Sequence, residues 1–288
     1  MKPLAVPLGL WLACSACQPT LVAAQGITTA PPSALAVPAA DVFSLGVALG
    51  EARYHARESS PSGGTLNTED GRLPTLTVAG AWQRGPWHVS ASQLLARQDL
   101  AYQGYTQIGI PLNTTTRLAL GNTSLLAGYG WQVSDQGRLR VSGGLEHLRI
   151  DRQIQPALGS LPLHETLSLL RGVAGLQWAH GGELGMRWSA GLDWLHSVRS
   201  RLAVDTYGVY DPITLQLGRS KDWRAHVHAS YRWQSGWTGK LMLSTETIRP
   251  GASAQEVWTQ QGVPAVSVRY PGSRQSLTKL QAGLSWQF

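Results

Sequence analysis

From about residue 42 to the C-terminus the chain alternates apolar and polar residues one by one, in stretch after stretch. In Trp223–Trp233 the odd positions are Trp, Ala, Val, Ala, Tyr and Trp, set against Arg224, His226, His228, Ser230 and Arg232. In Leu184–Trp194 the even positions are Leu, Met, Trp, Ala, Leu and Trp, set against Gly185, Arg187, Ser189, Gly191 and Asp193. At the end Leu280, Ala282, Leu284, Trp286 and Phe288 alternate with Lys279, Gln281, Gly283, Ser285 and Gln287. Side chains of an extended strand point to opposite faces in turn, so each stretch has one greasy and one polar face. The pattern predicts strands near 42–57, 73–84, 87–102, 117–133, 138–151, 167–179, 183–202, 222–233, 237–249 and 276–288.

The connections between these strands are of two kinds that alternate. Arg84-Gly85-Pro86, Ser134-Asp135-Gln136-Gly137, His180-Gly181-Gly182 and Gln234-Ser235-Gly236 read as tight turns. Those near 58–72, 103–116, 152–166, 203–221 and 250–275 read as long loops. Short turns on one side and long loops on the other are what a barrel crossing an outer membrane requires when both of its termini face the periplasm. The expected fold is all-β, a closed antiparallel up-and-down transmembrane β-barrel of about ten strands over residues 41–288, with eight or twelve as the other counts. A soluble lipocalin-like barrel would share the alternation but put the greasy face inside.

Tryptophan placement supports the membrane reading. Trp82 and Trp87 bracket the first short turn, Trp233 and Trp237 bracket the last, and Trp131 and Trp178 precede the other two. Trp286 and Phe288 end the chain. An indole is amphipathic and settles where hydrocarbon meets headgroups, so these eight residues are expected to form an interface girdle.

Composition fits a strand-built membrane protein. The chain has 12 Trp against 2 Phe, 32 Gly, and only 14% charged residues, well below the roughly 25% of soluble domains. No apolar run after the N-terminus is long enough for a membrane-spanning helix. Residues 1–24 read as a signal peptide, with Lys2, an apolar stretch Leu4–Leu12 and small residues before a cut near Gln25. Cys14 or Cys17 as a lipoprotein acylation site is the rival reading. Residues 25–40, rich in Pro, Ala and Thr, read as a flexible periplasmic segment. With both cysteines inside the signal, the mature chain would carry no thiol. The net charge of +7 comes from singly scattered basic residues, which argues against nucleic acid and suits a polar lumen or an anionic lipopolysaccharide surface.

The last strand, LTKLQAGLSWQF with its terminal Phe288, together with the signal segment, resembles bacterial outer-membrane β-barrel proteins as a class. That resemblance implies outer-membrane lipid and lipopolysaccharide as surroundings, and recognition by the barrel-insertion machinery during biogenesis.

By strand parity the lumen should receive Arg140, Glu146, Arg187, Asp193, Arg224, His226, His228, Arg232, Lys240, Glu246 and Lys279. Charges in so narrow a space must pair or stay hydrated, which predicts a polar plug. If Trp233 faces Trp237 across the last turn, Arg224 falls opposite Glu246 and should pair with it. His226 and His228 share a face at a spacing that can hold a metal, but no Cys or carboxylate cluster joins them, so lumen lining is expected and no cofactor.

Enzymatic motifs are weak. Asp99, Asp151, Asp205 and Asp211 lie near the rim without the Asp-x-Asp or Asp-x-His spacings of omptin proteases. His196-Ser197 point to opposite faces and lack the Asn that outer-membrane phospholipases carry. Tyr105, Trp258, Arg269 and Tyr270 in the long loops are candidates for binding an extracellular glycan or protein. The expected role is surface binding or adhesion, or membership of an envelope or export assembly. A narrow solute channel is the alternative and a surface hydrolase the third reading.

Overall fold

The structure is a computed structural model describing residues 41–60, 63–105, 110–157, 160–182 and 184–288. The expected signal peptide, residues 1–24, and the expected flexible segment 25–40 lie outside the described residues. Among those residues ten strands form the wall: β1 (Asp41–Ser59), β2 (Thr65–Arg84), β3 (Trp87–Tyr105), β4 (Pro111–Gln132), β5 (Gly137–Ile154), β6 (Leu163–Gly181), β7 (Gly185–Asp205), β9 (Lys221–Arg232), β10 (Trp237–Ile248) and β13 (Ser273–Gln287). Each pairs antiparallel with the next, and β1 pairs with β13, so the sheet closes. At that seam Phe43 and Phe288 exchange backbone hydrogen bonds of 3.0 Å each, and their rings stack. β8 (Ile213–Gln216) continues the β7 edge beyond β9, while β11 (Glu256–Gln260) and β12 (Val263–Val268) form a separate hairpin.

β1 to β7 are 18–22 residues long, about twice the roughly 9–11 that a tilted strand needs to cross a bilayer. The excess lies at the end away from the tight turns, called here the loop end. Much of 58–72, 103–116 and 152–166, expected to be loop, is therefore strand, and β1 joins β2 through residues 60–64 alone. The reason is visible in the phase of the alternation. On β1 the outward residues run Phe43, Leu45, Val47, Leu49 and then Glu51, Arg53, His55, Arg57. The inward ones change from Ser44 and Gly46 to Ala52, Tyr54 and Ala56, which are buried. β5 does the same: Leu145 faces out, then His147, Arg149 and Asp151, while Leu148 and Ile150 face in. Below the switch the wall is greasy outside, as a surface in hydrocarbon must be; above it the wall is polar outside and greasy inside, as a surface in water must be.

The greasy outward face settles the choice between the two barrel types. Trp223, Val227, Leu241 and Leu284 stand on the outside, each about half exposed, whereas the Arg224 side chain retains 12% of its accessibility. The aromatic residues expected to form a girdle lie along the turn end. Trp87, Tyr129 and Trp131 pack edge to face in sequence, Tyr231 meets Trp233, and Trp237, Trp286 and Phe288 form a second run. Trp178 stacks on His180, and Trp82 donates its indole N–H to Asp41 at 3.0 Å.

One irregularity alters which residues enter the lumen. Between Leu170 and Arg171 of β6 the register against β7 shifts, so that Val198 is extra and faces outward. The bulge moves the inward set on β7 from Asp193, Leu195 and Ser197 to Ser200, Leu202 and Val204.

Candidate functional site

The interior is layered along the barrel axis. All eleven residues assigned to the lumen by parity fall on inward positions. The expected register across the last tight turn is also present: Arg224 pairs with Glu246, Ser244 with His226 and Met242 with His228. Arg224 donates from Nε to Glu246 at 2.9 Å.

That pair belongs to a larger ionic layer at mid-barrel. Arg171, fully buried on β6, reaches Glu146 of β5, Glu246 of β10 at 2.7 Å and Asp222 of β9 at 3.8 Å. Arg224 bridges Glu146 at 2.6 Å and Glu246, and lies 3.6 Å from Asp193, which His226 also approaches at 3.7 Å. The two guanidiniums thus tie β5, β6, β7, β9 and β10 together across the lumen. Such a layer is held by its partners: a carboxylate deprived of its guanidinium would be a bare charge in a dry interior.

Above it lies a septum of aliphatic side chains drawn from nearly every strand of the wall. Tyr54, Leu73, Leu94, Leu118, Leu148, Ile150, Leu167, Leu169, Leu202, Ile248 and Leu277 form one buried cluster. A polar plug was expected, and the inward face at this level is instead mostly apolar, because here the surroundings outside the wall are no longer hydrocarbon. A second ionic group caps the septum. Arg152 is buried among Glu58 at 3.0 Å, Glu69 at 3.0 Å and Glu165 at 2.6 Å. Glu69 also accepts a hydrogen bond from the Thr116 hydroxyl at 2.8 Å.

The loop end is roofed by the β7–β9 and β10–β13 connections. Asp211 organises the roof. Its carboxylate accepts from the Thr259 hydroxyl at 2.6 Å and from the backbone N–H groups of Gln261 at 3.1 Å and Gly262 at 2.9 Å. Gln261 and Gly262 are the two left-handed residues of the β11–β12 turn, with φ of 52° and 77°. A non-glycine residue there is strained, and the carboxylate offsets that strain by holding both amides. These bonds keep the Asp211 carboxyl below the usual carboxylate range, the Thr259 hydroxyl contributing most. A depressed folded value means a stabilising contribution that is complete above the unfolded value near ~3.9 and lost as pH falls through the folded one. Protease cleavage within the hairpin should accordingly accelerate below about pH 4, and Asp211→Ala should show the same acceleration at pH 7. A variant that cleaves at the wild-type rate would show that Asp211 does not hold the turn.

Of the loop residues picked out as binding candidates, Tyr105 and Arg269 are exposed, whereas Trp258 and Tyr270 are not. Trp258 donates its indole N–H to the Asp211 carbonyl at 2.6 Å and packs on Tyr210, and Tyr270 donates its hydroxyl to Ser273 at 2.7 Å. Both are the underside of the roof; burial pushes the Tyr270 phenol up. The amphipathic loop pattern that suggested a binding surface is, for these two, the signature of a loop packed on the barrel mouth.

Sequence spacing also missed two Asp–His couples, because each is made across neighbouring strands. His55 lies 3.3 Å from Asp70, and His164 lies 3.7 Å from Asp151. All four residues sit on the outer wall above the greasy band. Among the described residues no group of three or more His, Cys, Asp or Glu is arranged to hold a metal, and His226 and His228 stack on each other at 5.0 Å.

Below the ionic layer the lumen opens as a cup of about 450 Å³ toward the turn end. Ser90, Ser124, Ser142, His88, Arg140, Lys240 and Lys279 are among the residues that line it. The cup lies between the turn end and the ionic layer, and the septum lies beyond that layer.

No protein-family model matches the chain, and no curated protein matches it. Solved structures do. The outer-membrane protease OmpT from Escherichia coli superposes with a TM-score of 0.63 over 86% of this chain and 97% of that one, at 12% identity. The translocator domain of the autotransporter NalP from Neisseria meningitidis gives 0.45 over 85% and 88%, at 12% identity. The β domain of the Bordetella autotransporter BrkA gives 0.43 over 87% and 100%, at 14% identity. The fold and its inside-out wall define a ten-stranded transmembrane β-barrel of the bacterial outer-membrane type.

Proposed function

We propose that the chain is a non-conducting barrel of the bacterial outer membrane that presents a binding surface to the outside. In this reading the turn end and both termini face the periplasm, and the loop end faces the medium. The observation that carries it is the septum: inward side chains from nearly every strand of the wall are buried in one apolar cluster across the lumen. A solute channel needs an open path there. The strands that rise beyond the greasy band, and the roof above them, make a rigid platform of the kind on which binding loops are carried.

The β11–β12 hairpin is the most prominent element of that platform. Val257 and Val263 are exposed at 58% and 64%, and β12 is exposed along nearly its whole length. Projecting apolar residues on an unpaired strand edge suit a protein partner that adds a strand of its own. On the outer wall Arg53, Arg72, Arg117 and Arg149 stand above the greasy band, each beside a carboxylate (Asp70, Glu51, Asp99 and Asp151), a mixed-charge belt suited to a hydrated lipopolysaccharide surface. The two Asp–His couples share that outer wall rather than a cleft, which supports binding over hydrolysis.

Planar-bilayer recording tests the closed lumen: the wild-type protein should give no stable open level, and a steady ohmic conductance would refute it. Cell binding tests the platform. Val257→Asp with Val263→Asp should abolish adhesion by cells that display the barrel while leaving its heat-shifted gel mobility intact, whereas unchanged adhesion would remove the hairpin from the account.

A further inference from the structure

We propose that the cup at the turn end is a binding site for a small, multiply charged oxyanion, such as a phosphorylated metabolite, which enters and leaves from the turn side. The argument starts from charge. Arg140, Lys240 and Lys279 line the cup, and Arg187 lies inward near its mouth. Among the described residues none of these four side chains makes an ion pair or a hydrogen bond, although the lumen is a place where charges are expected to pair. Arg140 instead feels the like charges of Arg138 and Arg187. Asp193 is the carboxylate of the cup, and it already faces Arg224 and His226. The ionic layer above holds three carboxylates, Glu146, Glu246 and Asp222, against two guanidiniums, and Lys279 feels Glu246 and Glu146 there, so the surplus of positive charge in the cup rests on Arg140, Lys240 and Arg187.

The shape supports the same ligand. Where the septum carries leucines, the cup carries Gly46, Ser90, Ser142 and Gly283, and the space they leave is about 450 Å³. A small-molecule site falls within roughly 300–1,000 Å³. The smallness is required at Gly283, where an added Cβ would lie 2.6 Å from the backbone carbonyl oxygen of Val47. Hydroxyls are at hand as donors: Ser285, 3% exposed, lines the cup and has no hydrogen-bond partner. Guanidinium, ammonium and hydroxyl donors converging in a low-dielectric well match the oxygens of a phosphate or a phosphoanhydride. The blind upper end means that the site captures from one compartment and does not pass its ligand on.

Pyrophosphate is the probe. Titrated calorimetrically into the folded full-length protein in zwitterionic detergent, it should bind saturably at one site, more weakly as salt rises from roughly 50 to 300 mM. Arg140→Gln with Lys240→Gln should weaken binding by about tenfold or more, while Arg57→Gln, exposed on the outer wall, should leave it unchanged. The same double variant should unfold at a higher temperature than wild type without pyrophosphate, because like charges no longer crowd the cup. Pyrophosphate should then raise the wild-type midpoint and leave that of the variant unmoved. Absence of saturable heat, equal affinity in the double variant, or loss of binding in Arg57→Gln would each overturn the proposal.

Discussion

Arg171→Met should lower barrel stability by about 3–5 kcal/mol, the cost of breaking a buried ion pair from one side. Arg171 has no exposed surface and faces Glu146, Glu246 and Asp222. Methionine keeps most of its volume, so a packing defect contributes little, and the loss comes from Glu146 and Glu246 left with Arg224 alone and Asp222 left with no guanidinium. Urea unfolding in lipid vesicles, followed by heat-shifted gel mobility, gives the value. Adding Glu246→Gln should recover part of the loss, since it removes one of the stranded charges. No recovery would mean that Arg171 acts through packing. The test separates the two because the residues are in contact, and contacting residues couple.

Leu148→Ala with Leu169→Ala should also destabilise strongly, by about 2–5 kcal/mol for either change and less than the sum for both. The two leucines face each other across the β5–β6 pairing and have almost no exposed surface. They are core residues in the sense of a water-soluble protein, although they belong to a membrane barrel. Leu284→Ala, on the greasy outer face of β13, should cost less than half as much, because acyl chains fill the space that a rigid core cannot. The pair of septum variants should also admit transient ion leaks in planar bilayers. Equal costs for inner and outer leucines would show that the septum is not packed.

Much of the architecture was legible in the alternation. Ten strands, the four tight turns, the greasy outer face and the turn-end girdle follow from residues such as Trp233 and Trp237, whose spacing also sets the β9–β10 register. That register placed Arg224 opposite Glu246. What was not legible lies across the long connections. Glu146 stands opposite Arg171 on β5 and β6, which are joined at the loop end, so there is no short turn from which to count. The bulge at Val198 had no visible marker, and it is why Ser200 and Leu202 enter the lumen in place of their neighbours. The septum was hidden by the strength of the membrane signal. Glu51, Arg53 and Arg57 alternate with Ala52, Tyr54 and Ala56 in a sense opposite to Leu45, Val47 and Leu49, and that inversion marks where β1 leaves the hydrocarbon. Taken as lumen polarity it misleads; taken as a change of outside solvent it predicts a greasy interior. Trp258 and Tyr270 were misplaced for a related reason, since a loop that packs on a barrel mouth carries the same residues as one that binds a partner.

The claim on which the account turns is that the lumen is sealed partway and open only below the seal. Ser90→Cys, in a chain whose Cys14 and Cys17 fall in the segment expected to be removed, puts one thiol inside the cup. A bulky maleimide that cannot cross the outer membrane should leave this thiol unmodified on intact cells and modify it once the periplasm is opened. Modification of intact cells at the rate seen after opening would contradict the seal.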